Sequence, residues 1–359
     1  MFDTGDLSPK YYQLKRHLLD QIQRGEFLPG QQLDTEYVLA KQFNLSRQTV
    51  RQALGELEKE GWIVRQQGRG TFISDQLRKP KPIALIIKSV SNYTFPEILR
   101  GIENRLSEAG FELKFYLSQD NPELEGECLK KALDNEIEGL IIEPAKSIGQ
   151  CRNLHYYQEF AKRHIPCLFI HSFWNELDPA YLVIDDCKGG YLATHYLLNL
   201  GHKRIAGIFN IDSSQGVQRL TGFKKALQEY GIEPDQRLIG EYQYRTDFAT
   251  FPFQFMQEIL QRPQYPTAVF CYNDVDAIRA LDAIRQAGLK VPDDISVIGY
   301  NDSGLTTVSE VKLTSVKHPK RDFGLQAASL MINMIKRRIE KPRMIIQPEL
   351  IIRSSCRSI

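Results

Sequence analysis

The sequence of 359 residues is short of several things, and each shortage excludes something. No stretch approaches the roughly 18 consecutive apolar residues that a membrane-spanning helix needs. The opening Met1-Phe2-Asp3-Thr4-Gly5-Asp6 lacks the cationic-then-apolar order of a secretory signal. The expectation is therefore a cytoplasmic protein with no membrane partner. Cysteine is sparse, with six residues (128, 151, 167, 187, 271 and 356) and no Cys-x-x-Cys pair. That argues against a zinc site or a disulfide framework and for reduced, partly buried thiols. Net charge is also nearly absent, since 46 Lys+Arg against 44 Asp+Glu leaves +2. A uniformly basic nucleic-acid coat is excluded. No Gly-x-Ser-x-Gly, Walker-type glycine loop, His-Glu-x-x-His or set of paired metal ligands occurs, so the expectation is no enzyme, no cofactor and no metal.

What is present is a local concentration of positive charge on a recognisable pattern. Thr35-Glu36 opens a short helix with Val38, Leu39 and Phe43 expected on its inner side. Asn44-Leu45-Ser46 makes a polar turn, and Ser46 is a good N-cap for a second helix. There Val50, Ala53, Leu54 and Leu57 fall at i, i+3, i+4 and i+7, one buried stripe. Arg47, Gln48 and Arg51 point away from it, in the first turn and a half. Side chains so placed read base edges in a major groove. Beyond Gly61, Trp62–Arg65 and Thr71–Ile73 flank Gln66-Gln67-Gly68-Arg69-Gly70, a hairpin with a glycine-rich cationic tip suited to a phosphate backbone or a minor groove. Alone, two arginines on a helix are more simply a solvated face. With the turn and the hairpin they make a winged helix-turn-helix that binds DNA.

Residues Tyr11 to Ile73 resemble the DNA-binding domain of the GntR family. The matching pieces are Leu28-Pro29-Gly30, Thr35-Glu36, Leu45-Ser46-Arg47-Gln48-Thr49-Val50-Arg51 and Gln67-Gly68-Arg69-Gly70-Thr71-Phe72. Asp34 departs from the family's usual proline. The resemblance implies Glu36, Arg47, Gln48, Thr49, Arg51, Gln67 and Arg69 as DNA-binding residues, with double-stranded palindromic operator DNA as partner.

Domain boundaries are expected at 1–75 for this head, 76–82 for a linker and 83–359 for the rest. Asp75–Pro82 is polar and basic, and its two prolines cannot continue a strand. From Ile83 short apolar runs alternate with amphipathic stretches. Expected strands are 83–87, 112–116, 139–142, 167–170, 182–184, 204–209, 268–271, 297–300 and 313–316. Helices are expected over 97–109, 124–135, 190–200, 219–230, 253–261 and 274–287. Near-continuous apolar strands between helices mean an α/β body with parallel, doubly covered sheets. Periodicity leaves open one large sheet, one barrel or two lobes.

Asn92–Pro96, Gly139–Ile142, Leu200–Ile205, Arg219–Phe223, Tyr272-Asn273-Asp274, Val291–Tyr300 and Leu313–Val316 resemble the effector domain of the LacI/GalR repressors, from about Ile83 to Arg353. The resemblance implies two doubly wound parallel-sheet lobes around a sugar-binding cleft. A GntR-type head on a LacI/GalR-type body resembles the arabinose-repressor family of Gram-positive bacteria, which implies a homodimeric repressor with L-arabinose or a related sugar as effector. The alternatives are the same architecture answering to another sugar or a purine, or a non-regulatory sugar-binding protein.

A sugar needs planar polar groups and an aromatic platform, which open α/β sheets place just past their strand ends. That rule selects Tyr93, Phe95, Glu143, His171, Asp185, Arg219, Asn273, Asn301 and Lys317. By resemblance Phe95 is the stacking aromatic, His171 stands where relatives often carry a carboxylate, and Asn301 replaces a common Asp. Structural readings compete at three positions. His171 could be satisfied internally, Glu143 could terminate a strand before Pro144, and Asp185 could bond its own turn. Tyr242 and Phe248 are further candidates for a second stacking face.

Overall fold

The computed structural model describes residues 8–23, 26–74, 81–90, 94–243 and 250–359. They divide into an N-terminal unit ending at Lys81 and a larger unit from Pro82 onward. Most of the expected linker, residues 76–80, lies outside the described residues. Among the described residues no helix is long and apolar enough to cross a membrane.

The first unit contains α1 (Lys10–Gln23), α2 (Glu36–Phe43), α3 (Arg47–Lys59), β1 (Ile63–Gln66) and β2 (Gly70–Ile73). Leu14, Leu18 and Ile22 of α1 close a core with Leu39 and Ala40 of α2, the Val50–Leu57 stripe, and Ile63 and Ile73 of the hairpin. Val38 is not in it. Val38 is 42% exposed, and Ala40 is buried instead. Both flank Leu39 by one residue, so periodicity alone cannot say which is covered; the helix α1, absent from the sequence reading, adds apolar surface to this core. Asn44 closes α2 in the left-handed region (φ 52), and Thr35 and Ser46 cap α2 and α3 through their side-chain oxygens.

The larger unit begins with β3 (Ile83–Ile87), α4 (Phe95–Glu108), β4 (Leu113–Leu117), α5 (Pro122–Asp134), β5 (Gly139–Ile142), α6 (Leu154–Lys162), β6 (Cys167–Ile170) and β7 (Ala180–Ile184). A second series follows, with α7 (Asp186–Asn199), β8 (Ile205–Asn210), α8 (Ser214–Glu229), β9 (Ile239–Tyr242), α9 (Phe251–Leu260), β10 (Ala268–Cys271), α10 (Asp274–Gln286), β11 (Ser296–Asn301) and β12 (Thr314–Lys317). The chain then returns to the first series with α11 (Lys320–Ile335) and β13 (Arg343–Ile346), and comes back once more as β14 (Glu349–Ile351).

Two six-stranded sheets result, ordered β4-β3-β5-β6-β7-β13 and β9-β8-β10-β11-β12-β14. Pairing is parallel throughout except for antiparallel β14 on β12. The body is thus two doubly wound lobes, which decides among the three arrangements left open by periodicity. In each lobe the strand order reverses beside the first strand, between β3 and β5 and between β8 and β10. Ligands of open α/β sheets bind at such reversals, outside the carboxyl ends of the strands.

The helix carrying Arg219 lies unusually close to its neighbour. A Cβ added at Gly222 of α8 would sit 1.9 Å from the Cys187 carbonyl oxygen, and one at Gly190 of α7 would sit 2.1 Å from the Arg219 carbonyl oxygen. These glycines let the two backbones touch. Gly222→Ala should therefore force α7 and α8 apart and destabilise the protein by about 1–3 kcal/mol. Chemical denaturation of the variant checks this, and an unchanged midpoint would show that the helices can separate freely.

Candidate functional site

In the N-terminal unit the capped start of α3 presents Arg47 and Gln48 to solvent, while Thr49 is partly covered. Ser46 Oγ accepts from the Thr49 backbone N–H at 3.1 Å, which fixes the first turn. Arg51 is already engaged, donating from Nε and Nη2 to the Glu36 carboxylate at 3.0–3.3 Å. That hydrogen bond, with the positive field of the surrounding arginines, holds the Glu36 carboxyl below its usual range despite partial burial. Gln67 and Arg69 occupy the exposed tip of the hairpin, whose turn uses Gly68 and Gly70 at φ 75 and 117. Gln32 donates to the Arg69 carbonyl at 2.9 Å and steadies that tip. The seven expected DNA-facing residues thus share one unit. Glu36 differs from the others in kind, since it positions an arginine and brings negative charge.

In the larger unit a cavity of about 420 Å³ opens at the strand ends of both lobes. Phe95, Glu143 and His171 line it from the first lobe, and Arg219, Asn273 and Asn301 from the second. Glu143 follows β5, and its Oε1 lies 3.4 Å from His171 Nδ1. Burial pushes the Glu143 carboxyl up, but His171 and the Lys88 ammonium outweigh this and hold it below its ordinary value. His171 has a left-handed backbone (φ 63) and stacks on Phe323 with ring centres 4.7 Å apart. Phe95, 3% exposed, offers an apolar face backed by Phe115.

On the other wall Asn273 caps α10, its Oδ1 accepting from the Asp276 N–H at 2.8 Å. The oxygen is committed inward, so the amide N–H₂ is what remains to offer a ligand. Arg219 is 2% exposed and its guanidinium is held on several sides. It donates to Asp186 Oδ1 at 2.8 Å and to the Tyr272 carbonyl at 2.6 Å, and lies 3.5 Å from the centre of the Tyr300 ring. Burial alone would make it easier to deprotonate; Asp186 outweighs that and keeps it charged. Asp274 accepts from the Ser303 N–H and the Ser315 hydroxyl, and burial raises its carboxyl to about 6.

Of the expected sugar contacts, two described residues, Asp185 and Lys317, are not brought to the cavity. Tyr93 lies outside the described residues, as does Phe248. Asp185 does not line the cavity but caps α7, accepting from the Lys188 N–H at 2.9 Å. Its neighbour Asp186 is the one that reaches Arg219. Lys317 is the last residue of β12 rather than the first beyond it, and its ammonium is 3.1 Å from Glu349 of β14, a strand the sequence reading lacked. The next residue, His318, lines the cavity instead. Tyr242 is buried, donating to Asp276, and does not line the cavity. Lys88 and Asn210 were missed, although the strand-end rule that selected the others points to them. Among the described residues no cluster of His, Cys, Asp or Glu is arranged to hold a metal.

Carboxylate, imidazole, amide and aromatic groups converging on a cavity of this size suit a small polyhydroxylated molecule. Residues 10–73 match the family model of bacterial regulatory proteins of the gntR family, and residues 194–356 match that of a periplasmic binding protein-like domain. The chain is 43% identical to the arabinose metabolism transcriptional repressor of Geobacillus stearothermophilus, covering 98% of both chains. It is 39% identical to the repressor of the same name from Halalkalibacterium halodurans, covering 97% of both. The chain belongs to the arabinose metabolism transcriptional repressor family. It is a transcriptional regulator and not an enzyme. A LacI family transcriptional regulator from Enterococcus faecium, solved with bound ribose, is similar in structure, with a TM-score of 0.66 and 25% identity over 78% of this chain and all of that one.

The Asp186–Arg219 pair is the buried charge on which this repressor's cavity wall rests. Removing one partner of a buried pair leaves an uncompensated charge, at about 3–5 kcal/mol. Asp186→Ala should lose about that much stability in a denaturant titration. A loss below about 1 kcal/mol would mean that Arg219 finds water or another partner, and that the wall does not depend on Asp186.

Proposed function

We propose that this repressor binds a palindromic operator as a homodimer, in the cytoplasm, and is released from it by L-arabinose. The observation that carries the reading is the joint presence of an exposed, capped reading helix with its cationic hairpin and a polar-aromatic cavity at the sheet reversals of two lobes. The relatives' name supports arabinose, and the cavity groups support a sugar. Arg47 and Gln48 read base edges, Thr49, Gln67 and Arg69 contact phosphate or the minor groove, and Arg51 engages the backbone once Glu36 yields it. In the cleft Phe95 takes an apolar sugar face, Glu143 and His171 meet hydroxyls from one wall, and Asn273 and Asn301 meet them from the other. Arg219, with its donors committed to Asp186 and Tyr272, holds that wall in place and meets the ligand at its edge. Sugar held by both walls favours a closed cleft, and only a difference in affinity between the two states can shift the repressor away from DNA. Dimeric reading heads must match half-sites about one helical turn apart, so a small change in spacing suffices for release.

The DNA half is tested with an operator selected by the protein from random duplexes. Arg47→Ala should weaken operator binding by about 5- to 150-fold, the equivalent of about 1–3 kcal/mol. Arg69→Ala should weaken operator and random DNA evenly and reduce the salt slope by about one. Normal operator affinity in Arg47→Ala would show that α3 is not the reading helix.

The effector half is tested by titrating the operator complex with L-arabinose. Wild type should release DNA. Asn273→Ser keeps an N-cap oxygen for α10 but removes the amide donor, so its release should need about 5- to 150-fold more sugar at unchanged operator affinity. Equal sensitivity would remove Asn273 from the site, and release only by a different sugar would overturn arabinose.

A further inference from the structure

We propose that Ser147 is a positioning residue for the sugar response: with Ser214 it forms a clasp between the lobes that favours the closed cleft without touching the ligand. This rests on reading the cavity as the effector site and adds to it a contact that sets how readily the cleft shuts. Ser147 belongs to the first lobe, in the loop that follows β5, and Ser214 is the first residue of α8 in the second. Ser147 Oγ donates to Ser214 Oγ at 2.9 Å and accepts from the Ser214 backbone N–H at 3.2 Å. The first amides of a helix have no acceptor within the helix, and the α8 N-cap, Ser213, makes no side-chain capping bond. A hydroxyl from the opposite lobe takes over part of that role. Ser147 is 8% exposed, so the clasp is shielded from water.

Both halves of the clasp are fastened to their own lobe. On the first, the Ala145 N–H donates to the buried Glu125 carboxylate and the Lys146 N–H donates to Asp120 Oδ1 at 3.0 Å. Glu125 is fixed in turn by Asn153 and Tyr157 at 2.8 and 2.9 Å. On the second, α8 is the helix locked against α7 and carrying Arg219. Neither serine lines the cavity, but Asp120 on one side and Ser213 and Gln215 on the other do. Neither serine lies on a segment that crosses between the lobes. A contact off the crossings is one that opening of the cleft breaks and closure makes. In the open cleft water satisfies both hydroxyls and the α8 amide. In the closed cleft Ser147→Ala leaves the Ser214 N–H without its acceptor, so the substitution penalises the closed state selectively. Sugar binding that needs the closed state weakens as the population of that state falls.

The experiment measures L-arabinose binding by the full chain for wild type, Ser147→Ala, Ser214→Ala and the double variant, with folding followed in the same samples. Ser147→Ala removes both bonds and should bind the sugar about 3- to 10-fold more weakly. Ser214→Ala keeps the backbone bond and should lose less. The double variant should match Ser147→Ala within about twofold, because each serine acts through the other. Operator binding by Ser147→Ala without sugar should be no weaker than wild type, since the open state is the one that holds DNA. Wild-type sugar affinity in Ser147→Ala, losses that multiply in the double variant, or weakened operator binding would each overturn the proposal. Hydrogen exchange at the Ser214 amide in the sugar-free protein tests the clasp without any ligand. That amide should exchange at least about fivefold faster in Ser147→Ala than in wild type, with the Val217 amide inside α8 unchanged. Equal exchange at Ser214 would overturn the clasp. The exchange difference together with no L-arabinose binding in wild type would uphold the clasp and count against the effector reading instead.

Discussion

The buried Asp186–Arg219 pair is the constraint from which the effector half of the molecule is built. Asp186 opens α7, Arg219 sits on α8, and the guanidinium reaches the backbone after β10 and the ring of Tyr300 on β11. Four elements of one lobe are therefore referenced to a single planar cation. Arginine suits this place because its fork offers several fixed donors and its plane stacks on an aromatic face, which a lysine ammonium does not reproduce. The close approach of α7 and α8 at Gly190 and Gly222 is the steric counterpart of the same arrangement. One wall of the cavity is thereby held rigid, and rigidity lets a ligand's contacts register as a difference between open and closed states.

The opposite wall is built differently. Glu143, His171 and Lys88 come from three strand ends of the first lobe and are matched in charge and hydrogen bonding rather than pinned by one residue. The two lobes are joined at crossing segments that are themselves tied together, with the Asp185 N–H donating to the Ile346 carbonyl at 3.0 Å and the Lys188 ammonium donating to Gln347 at 2.7 Å. His318 lies on the remaining crossing. Segments of this kind concentrate a change in lobe angle into a few backbone torsions, the usual construction of a hinge. In the proposed mechanism the sugar acts on that angle and the operator responds to it.

Much of this was legible from residues alone because the decisive patterns are local. The capped α3 with its buried stripe and the three-residue hairpin tip are short-range features, and the strand-end rule led directly to Glu143, His171, Asn273 and Asn301. The misses have two physical sources. The first is one-residue uncertainty at element ends. Asp185 and Asp186 are adjacent carboxylates at a helix start, and only packing decides which one caps and which one turns inward to the arginine. The second source is pairing with distant sequence. Lys317 was expected to face a ligand because β14, which supplies Glu349, carries no signal marking it as the partner of β12. Helix α11 and strand β13 belong to the first lobe although they follow the second in sequence, and no periodicity reports that return.

The central claim is that sugar and operator compete through one conformational equilibrium of the same chain. Linkage makes this reciprocal: whatever factor L-arabinose takes from operator affinity, operator must take from L-arabinose affinity. The most direct measurement is calorimetric titration of L-arabinose into the free repressor and into the repressor saturated with operator DNA. The account predicts weaker sugar binding in the complex, by the same factor by which saturating sugar weakens operator binding. Equal sugar affinity with and without operator would contradict it, because a ligand that does not distinguish the two states cannot move the protein between them.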